Sequence, residues 1–303
     1  MRIGNSQTVH RPVLLKEVLK IFNPQPGQIY IDATINGGGH ASAIAEKIGS
    51  SGKLLGIDID CDLIKALEIK NQSAKIKNTI LTCDSYASLA DIVSRCGLTK
   101  ISGILFDLGF SSYHLEKSGR GFSFQKDEPL DMRYNISNNE LTAEKIINNW
   151  DEGAIETLLR EYGGERFARR IARGILRARN QKKIATTAEL VAVIKRNVPY
   201  QYLKAKINPA TRTFQALRMA VNKELENLEK ALTPAAELLK PAGKLVIISF
   251  HSLEDRVVKN FFKQKGKEGN FKILTPKPII ASVEELKTNP RARSAKLRAI
   301  QRI

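Results

Sequence analysis

The sequence predicts a doubly wound α/β domain interrupted by a helical insertion, and three features carry that reading. Strand-like and helix-like segments alternate through the first hundred residues. A triple glycine, Gly37 to Gly39, separates the first strand from the first helix of that series, and an acid, Asp58, ends the second strand. Strand, loop and helix repeated in this way argue for a parallel sheet with helices on its faces.

The elements follow in order. "QIYIDAT" reads as a strand and "HASAIAEKIG" as a helix ending at Gly49; "GKLLGIDID" is a second strand and "CDLIKALEIKNQ" a second helix. "NTILTCDSY" and "ISGILFDLG" are further short apolar runs with β-branched residues. From about Phe110 to Thr213 the texture changes: the chain is polar, basic and helical in pattern, as in "DEGAIETLLREYGGERFARRIARGILRAR", with no strand signal. A helical stretch, "TFQALRMAVNKELENLEKALTPAAELL", then leads back to a buried strand, "GKLVIISF". The expected organisation is a core in two parts, 1–109 and 214–303, around an insertion at 110–213, with a basic C-terminal tail.

Composition narrows the partners. In 303 residues, 49 Lys and Arg face 31 acids, a formal charge of +18 and a pI near 9.8. Such an excess points to a polyanion, nucleic acid ahead of a membrane surface. Cys61, Cys83 and Cys96 are odd in number and form no C-x-x-C pair, so neither a disulfide framework nor a zinc knuckle is expected, and a reducing compartment fits. His10, His40, His114 and His251 lie far apart, and no metal site is expected. "MRIGNSQTVHRP" has no apolar h-region and no run reaches membrane-spanning length, so a cytoplasmic protein with no membrane partner is expected.

A glycine-rich turn between a strand and a helix lets a ligand approach the backbone closely. Asp58, twenty residues after Gly38, stands where an acid can accept hydrogen bonds from ribose hydroxyls. A dinucleotide fingerprint would need a third glycine where Ser42 stands, and Asp32, before the loop, suits a cofactor with a cationic amino-acid end better than a pyrophosphate. S-adenosylmethionine fits; a tight structural turn is the alternative. Asp107 ends the fourth strand. A carboxylate there can accept an N–H of an exocyclic base amine and hold its lone pair on line for methyl transfer, or it can simply cap the following turn.

Eight ordered stretches then carry a resemblance: "HRPVLLKEVL", "DATINGGGH", "DLGFSSYHLE", "GRGFSF", "PLDMRYN", "ATRTFQALRMAVNKELENLEKAL", "GKLVIISFHSLEDRVVKNFF" and "NPRARSAKLR". Together they are similar to the bacterial 16S rRNA (cytosine-1402-N4)-methyltransferase family, also called MraW, nearly end to end. The resemblance implies a Rossmann-like seven-stranded methyltransferase sheet with an inserted helical domain, S-adenosylmethionine as cofactor, and 16S rRNA of the 30S subunit as substrate; a homodimer is compatible with it. It places Gly38, Gly39 and His40 in the cofactor loop, Asp58 after the second strand, Tyr86 as an aromatic wall, Asp107 at the reacting end and His114 where Gln is common. Three departures stand out. Asn36-Gly37 replaces Gly-Arg, and Asn tolerates left-handed backbone. Tyr113-His114 replaces Pro-Gln, and Glu128 replaces a turn glycine.

The insertion carries "RFARRIARGILRARNQKK", with eight basic residues and no acid; Arg166, Arg169, Arg170 and Arg173 are candidates for phosphate contact, against the bland alternative of a solvated face. Arg291, Arg293, Lys296 and Arg298 form a second basic cluster without counter-charge in sequence. The target base must leave its stack, and Phe110, Tyr113, Phe122 and Phe124 are candidates to stack on it or to fill the core. His251, in "ISFHSLEDR", is a candidate substrate contact; with Ser249 and Ser252 it lacks the G-x-S-x-G of a hydrolase. Cys83 reads as a small buried hydrophobe, with no Pro-Cys dipeptide for C5 chemistry. A catalytically inactive ribosome-assembly factor is the competing reading, and a nicotinamide oxidoreductase a third.

Overall fold

The computed structural model describes residues 12–74, 78–109 and 111–303; His10, Arg11 and Phe110 lie outside them. Along the chain come α1 (Leu15–Phe22), β1 (Ile29–Asp32), α2 (Gly39–Ile48), β2 (Lys53–Asp58), α3 (Cys61–Ala74), β3 (Thr79–Cys83), α4 (Leu89–Arg95) and β4 (Ile101–Asp107). Next are α5 (Ser112–Glu116), α6 (Ala143–Asn149), α7 (Glu152–Glu161), α8 (Ala168–Arg179), α9 (Thr187–Asn197), α10 (Tyr200–Leu203) and α11 (Thr211–Asn222). The chain closes with α12 (Glu224–Glu237), β5 (Leu239–Ser249), α13 (Ser252–Lys267), β6 (Phe271–Ile273), α14 (Val283–Thr288) and β7 (Lys296–Arg302). It divides into two compact units, one running to Gly109 and resuming from Leu225 to Ile303, the other Phe110–Glu224.

The first unit holds the seven-stranded Rossmann-like sheet that the resemblance implies, ordered β3-β2-β1-β4-β5-β7-β6. Neighbours are parallel from β3 to β5, and β7 runs antiparallel to both β5 and β6. Strand side chains alternate between two apolar layers, as the period of two requires. Ile31, Leu55, Ile57, Ile104, Phe106, Leu245 and Ile247 pack with Leu89, Ile92, Leu228, Leu232 and Val258 of α4, α12 and α13. Tyr30, Leu54, Leu105, Val246 and Ile248 face the opposite way, toward Val18 and Phe22 of α1, Ile44 and Ile48 of α2, and Ile64 and Leu67 of α3. All seven residues of β4 are buried, the pattern of a parallel strand covered on both faces.

The second unit is helical; among its described residues there is no strand, only an isolated bridge between Pro129 and Thr186. Its helices start where the sequence supplies caps. The Thr142 hydroxyl accepts from Lys145 N, the Asp151 carboxylate from Ala154 N, and Thr186 forms a reciprocal box with Glu189. Its core gathers Ile146, Ile155, Leu159, Ile171, Ile175, Leu190, Ile194 and, from α11, Phe214, Leu217 and Val221.

Four expectations change. The continuous helix expected after Thr213 is two, broken at Lys223 with φ 50°, and the unit boundary falls at Glu224 because α11 packs into the insertion's core. The basic C-terminal tail is strand β7, whose cations obscured its buried Leu297, Ala299 and Ile300. Cys61 and Cys83 form a disulfide, with Cα atoms 5.1 Å apart, and Cys96 is the free thiol; parallel pairing of β2 with β3 brings together residues that spacing alone does not. Glu128 needs no glycine-like backbone: its φ is not positive, and its carboxylate accepts from Gly121 N at 3.0 Å. No helix among the described residues is long and apolar enough to cross a membrane.

Two tests follow from the packing. A Cβ at Gly103 would lie 2.5 Å from Tyr30 Cε1 and 2.8 Å from Phe22 Cε1, two buried rings with no room to retreat. Gly103→Ala is expected to cost about 1–3 kcal/mol in chemical denaturation, the range for overpacking. Thiol titration of the denatured chain should find one free cysteine before reduction and three after.

Candidate active site at the carboxyl edge of the sheet

From β1 the chain goes to β2 on one side and later to β4 on the other, so the strand order reverses between β1 and β4. Loops diverge at such a point and leave a crevice at the carboxyl ends of the strands. Asp32, Asp58 and Asp107 are the last residues of β1, β2 and β4. The fold therefore delivers three carboxylates to one edge, all at least nine-tenths buried.

Short-range bonds fix them. Asp58 Oδ2 accepts from Asn36 N at 2.9 Å and its Oδ1 from Asp60 N at 3.0 Å. Asn36 adopts φ 47°, the left-handed geometry expected where the family has glycine, and Gly38 follows at φ 74° as the cap of α2. Asp32 Oδ1 accepts from Thr34 N at 3.3 Å, and the Thr34 hydroxyl accepts from Asp107 N at 2.6 Å. Thr34 was missed by sequence reasoning; the D-x-T spacing of an Asx-type turn was its signal. The loop glycines are tightly placed: a Cβ at Gly38 would meet Leu67 at 2.9 Å, and one at Gly39 the Pro12 ring at 3.0 Å.

His40 is buried beside them. Its Nε2 lies 2.9 Å from the Val13 carbonyl oxygen, which can only accept, so Nε2 carries hydrogen. Nδ1 then faces Asp107 Oδ2 at 3.5 Å. Attraction across that gap needs a proton, either on the ring or on the carboxyl. Asp107 Oδ1, by contrast, is buried without a hydrogen-bond partner among the described residues. Burial, then the charges of Asp32 and Glu254, hold the Asp107 carboxyl well above the usual range. Burial likewise raises Asp32 to about 7, helped by Asp58 and opposed by the Thr34 N–H. Clustered carboxylates made costly by burial suit a cationic ligand, and the orphaned oxygen suits a donor; the residues fit the sulfonium and ammonium of S-adenosylmethionine.

Tyr86 follows β3, and its ring meets Phe106 edge-on at 5.5 Å. His114 belongs to the helical unit, where it is buried, accepts from Ser111 N at 3.1 Å through Nδ1, and packs against Phe122 and Tyr134. Phe122 and Phe124 serve the insertion's core, and Tyr113 is half-buried. His251 caps α13: Nδ1 accepts from Glu254 N at 3.3 Å, and Nε2 lies 3.1 Å from Glu254 Oε1. Glu254 itself escaped the sequence reading, although His251-x-x-Glu254 has the spacing of a capping box.

The basic clusters are less available than their sequences suggest. Lys296 and Arg298 pair with Asp255 at 3.3 and 2.6 Å, correcting the expected lack of counter-charge, while Arg291 and Arg293 stay exposed. In the insertion, Arg173 pairs with Glu152 at 2.9 Å, Arg179 donates to the Ile147 and Trp150 carbonyls, and Lys182 and Lys183 pair with Glu189 and Glu144. Arg166 and Arg170 lie over the Phe167 ring, and Arg169 is exposed.

A carboxyl with a raised folded pKa binds its proton more tightly when folded. Its stabilising contribution is complete at low pH and is lost as the pH rises through the folded value. For Asp32, moving from an ordinary 3.8 to about 7, that contribution is on the order of 4 kcal/mol. Denaturation of the free protein should show stability falling from about pH 4 to 7, and Asp32→Asn should reduce that slope.

The comparisons with known proteins can now be set beside this geometry. The model of the MraW methylase family matches residues 7–303. Ribosomal RNA small subunit methyltransferase H of Heliobacterium mobile is 44% identical over 97% of this chain and 99% of its own. The protein of the same name from Clostridium botulinum (strain 657 / Type Ba4) is 42% identical over 97% and 99%. Among solved structures, an rRNA methylase from Streptococcus thermophilus matches with TM-score 0.43 and 10% identity, covering 93% of this chain and 92% of that one. With the family pattern running through both parts of the sheet and the insertion between them, the chain belongs to the MraW methylase family.

Proposed function

We propose that the protein methylates small-subunit ribosomal RNA with S-adenosylmethionine, and specifically N4 of cytosine-1402 in 16S rRNA. The relatives' shared name supports the rRNA substrate; the base and atom come from the motif resemblance. The observation that carries the chemistry is Asp107, a buried strand-end carboxyl with one oxygen unpartnered at the switch point of the sheet.

The cofactor supplies an electrophilic methyl on a sulfonium, which is left as a neutral thioether once the methyl is transferred. Gly38, Gly39 and His40 would form the loop that holds it, with Asp32 for its cationic end, Asp58 for its ribose and Tyr86 for its adenine. Burial and neighbouring acids raise the Asp107 pKa in the empty site, and a positive charge among these carboxylates favours their ionised forms, so a loaded site would favour Asp107 as a base. Asp107 Oδ1 then accepts one N–H of the cytosine amine and holds the nitrogen lone pair on line, which is positioning with electrostatic assistance. As nitrogen gains the methyl it must shed one proton. Oδ1 takes it, and His40 Nδ1, on the Oδ2 side of the same carboxyl, can hold a proton in turn. Thr34 keeps the Asp107 backbone fixed while the side chain changes charge.

The test uses methyl-labelled cofactor and 30S subunits lacking the modification, with nucleosides separated by mass spectrometry after digestion. Label is expected as N4-methylcytidine, and Asp107→Asn should lower kcat by about 10²–10³, the usual loss for a removed acid–base or charge-stabilising group. No label on 30S particles or naked 16S rRNA from folded protein would favour an assembly factor without chemistry. Label on another atom would overturn the substrate assignment.

A further inference from the structure

The insertion holds a second cationic surface, around α10, which the first residue of the arginine-rich stretch, Arg166, also joins. Between Glu189 and Glu224 there is no acidic residue and there are seven basic ones. In the middle of this stretch, α10 is anchored from within. Tyr202 is buried, its hydroxyl donates to Glu165 Oε2 at 2.7 Å, and its ring meets Phe167 at 4.9 Å. Two positions earlier, Tyr200 turns to solvent with 68% of its surface exposed, and Leu203 and Ile207 join it. The Lys204 ammonium sits 4.6 Å from the Tyr200 ring centroid, and Lys206 is exposed close by in sequence. The Arg166 guanidinium lies 4.7 Å from the Tyr202 ring centroid. Arg212, bonded to the Gly164 carbonyl at 3.2 Å, bears on the same tyrosine. Glu165, the acid against this patch, is 1% exposed and already accepts from Phe167 N and from the Tyr202 hydroxyl.

An exposed aromatic ring by itself suits many partners. With a lysine ammonium against its ring, on a stretch with no acid in sequence, it suits a chain of phosphates carrying flat bases. Base–aromatic stacking tolerates any base, and lysines and arginines follow the backbone. We propose that the surface around α10, built from Tyr200, Lys204, Lys206, Arg166 and Arg212, binds a single-stranded segment of the RNA substrate, with one base stacked on Tyr200 and the cations on its phosphates. This rests on the RNA-methylating reading above and adds to it where the RNA is gripped. The rigid anchor at Tyr202 matters to the design: it fixes the backbone of α10, so that Tyr200 is presented with little ordering left to do on binding.

The experiment measures binding of an unmodified 16S rRNA transcript across a potassium chloride series, with methyl transfer measured in parallel. Tyr200→Ala should weaken binding about tenfold, as loss of one stacked base does, while Tyr200→Phe, which keeps the ring, should stay within about twofold. The Lys204→Ala/Lys206→Ala pair should lower the slope of log K against log salt by about 1.4, the value for two single-strand phosphate contacts. At saturating RNA, kcat should not change. Wild-type-like affinity and slope in both variants would overturn the proposal. So would a change of oligomeric state on Tyr200→Ala with RNA affinity intact, which would make the patch a contact between copies. Should Tyr200→Ala fail to fold, the lysine pair decides the question alone. If the wild-type protein neither binds RNA nor transfers methyl, the underlying reading falls, a result distinct from equal binding by wild type and variants.

Discussion

The arrangement depends on a set of carboxylates that the sheet places where they are electrostatically uncomfortable. Parallel strands ending side by side bring Asp32, Asp58 and Asp107 to one buried edge, and burial penalises every negative charge there. Asp58 is eased by two backbone N–H donors. Asp32 has one long bond, and Asp107 has a histidine at 3.5 Å on one oxygen and, among the described residues, no hydrogen-bond partner on the other. The discomfort rises toward the switch point, where a cation would relieve it. A sulfonium bound there would favour ionisation of these carboxyls, and their ionisation would favour its binding.

Local structure around the edge serves that coupling. The left-handed turn at Asn36 aims its N–H at Asp58, and the next left-handed residue, Gly38, opens α2 so that His40 reaches back to Asp107. The Val13 carbonyl decides which imidazole nitrogen carries hydrogen, and with it which proton states of the His40–Asp107 pair are attractive. Thr34 ties β1 to β4 through a single hydroxyl; removing it would leave the Asp107 N–H unsatisfied in a buried site, a cost of about 1–3 kcal/mol. The Cys61–Cys83 bridge closes the neighbouring edge, joining the start of α3 to the end of β3 just before Tyr86.

The insertion shows how a strongly positive protein distributes its charge. Of the cations along α8 and just beyond it, Arg173, Arg179, Lys182 and Lys183 hold the unit together through acids and carbonyls. Arg166 and Arg170 lie against aromatic rings. A count of charges therefore overstates what remains for a polyanion. Exposed cations do remain: Arg166, Arg169 and Arg170 in the arginine-rich stretch, and Lys204 and Lys206 just after α10.

Much of this was legible in the sequence. Alternation of period two and period 3.6 is a local property, so the parallel sheet, the glycine loop and the strand-end acids Asp32, Asp58 and Asp107 could be read from neighbours along the chain, and the ordered motifs named the family. What the sequence could not show depends on contacts distant in the chain. The antiparallel β7 was hidden because Lys296 and Arg298 find Asp255, forty-odd residues earlier, only once the sheet forms. The disulfide exists because β2 and β3 pair in register. The extent of the insertion was decided by Phe214, Leu217 and Val221 choosing its core. The 3.5 Å approach of His40 to Asp107 depends on α2 and β4 meeting across sixty-seven residues. Propensity and spacing determine which elements form and which acids end them; only tertiary packing determines which charges are buried together, and the chemistry proposed for this protein follows from that burial.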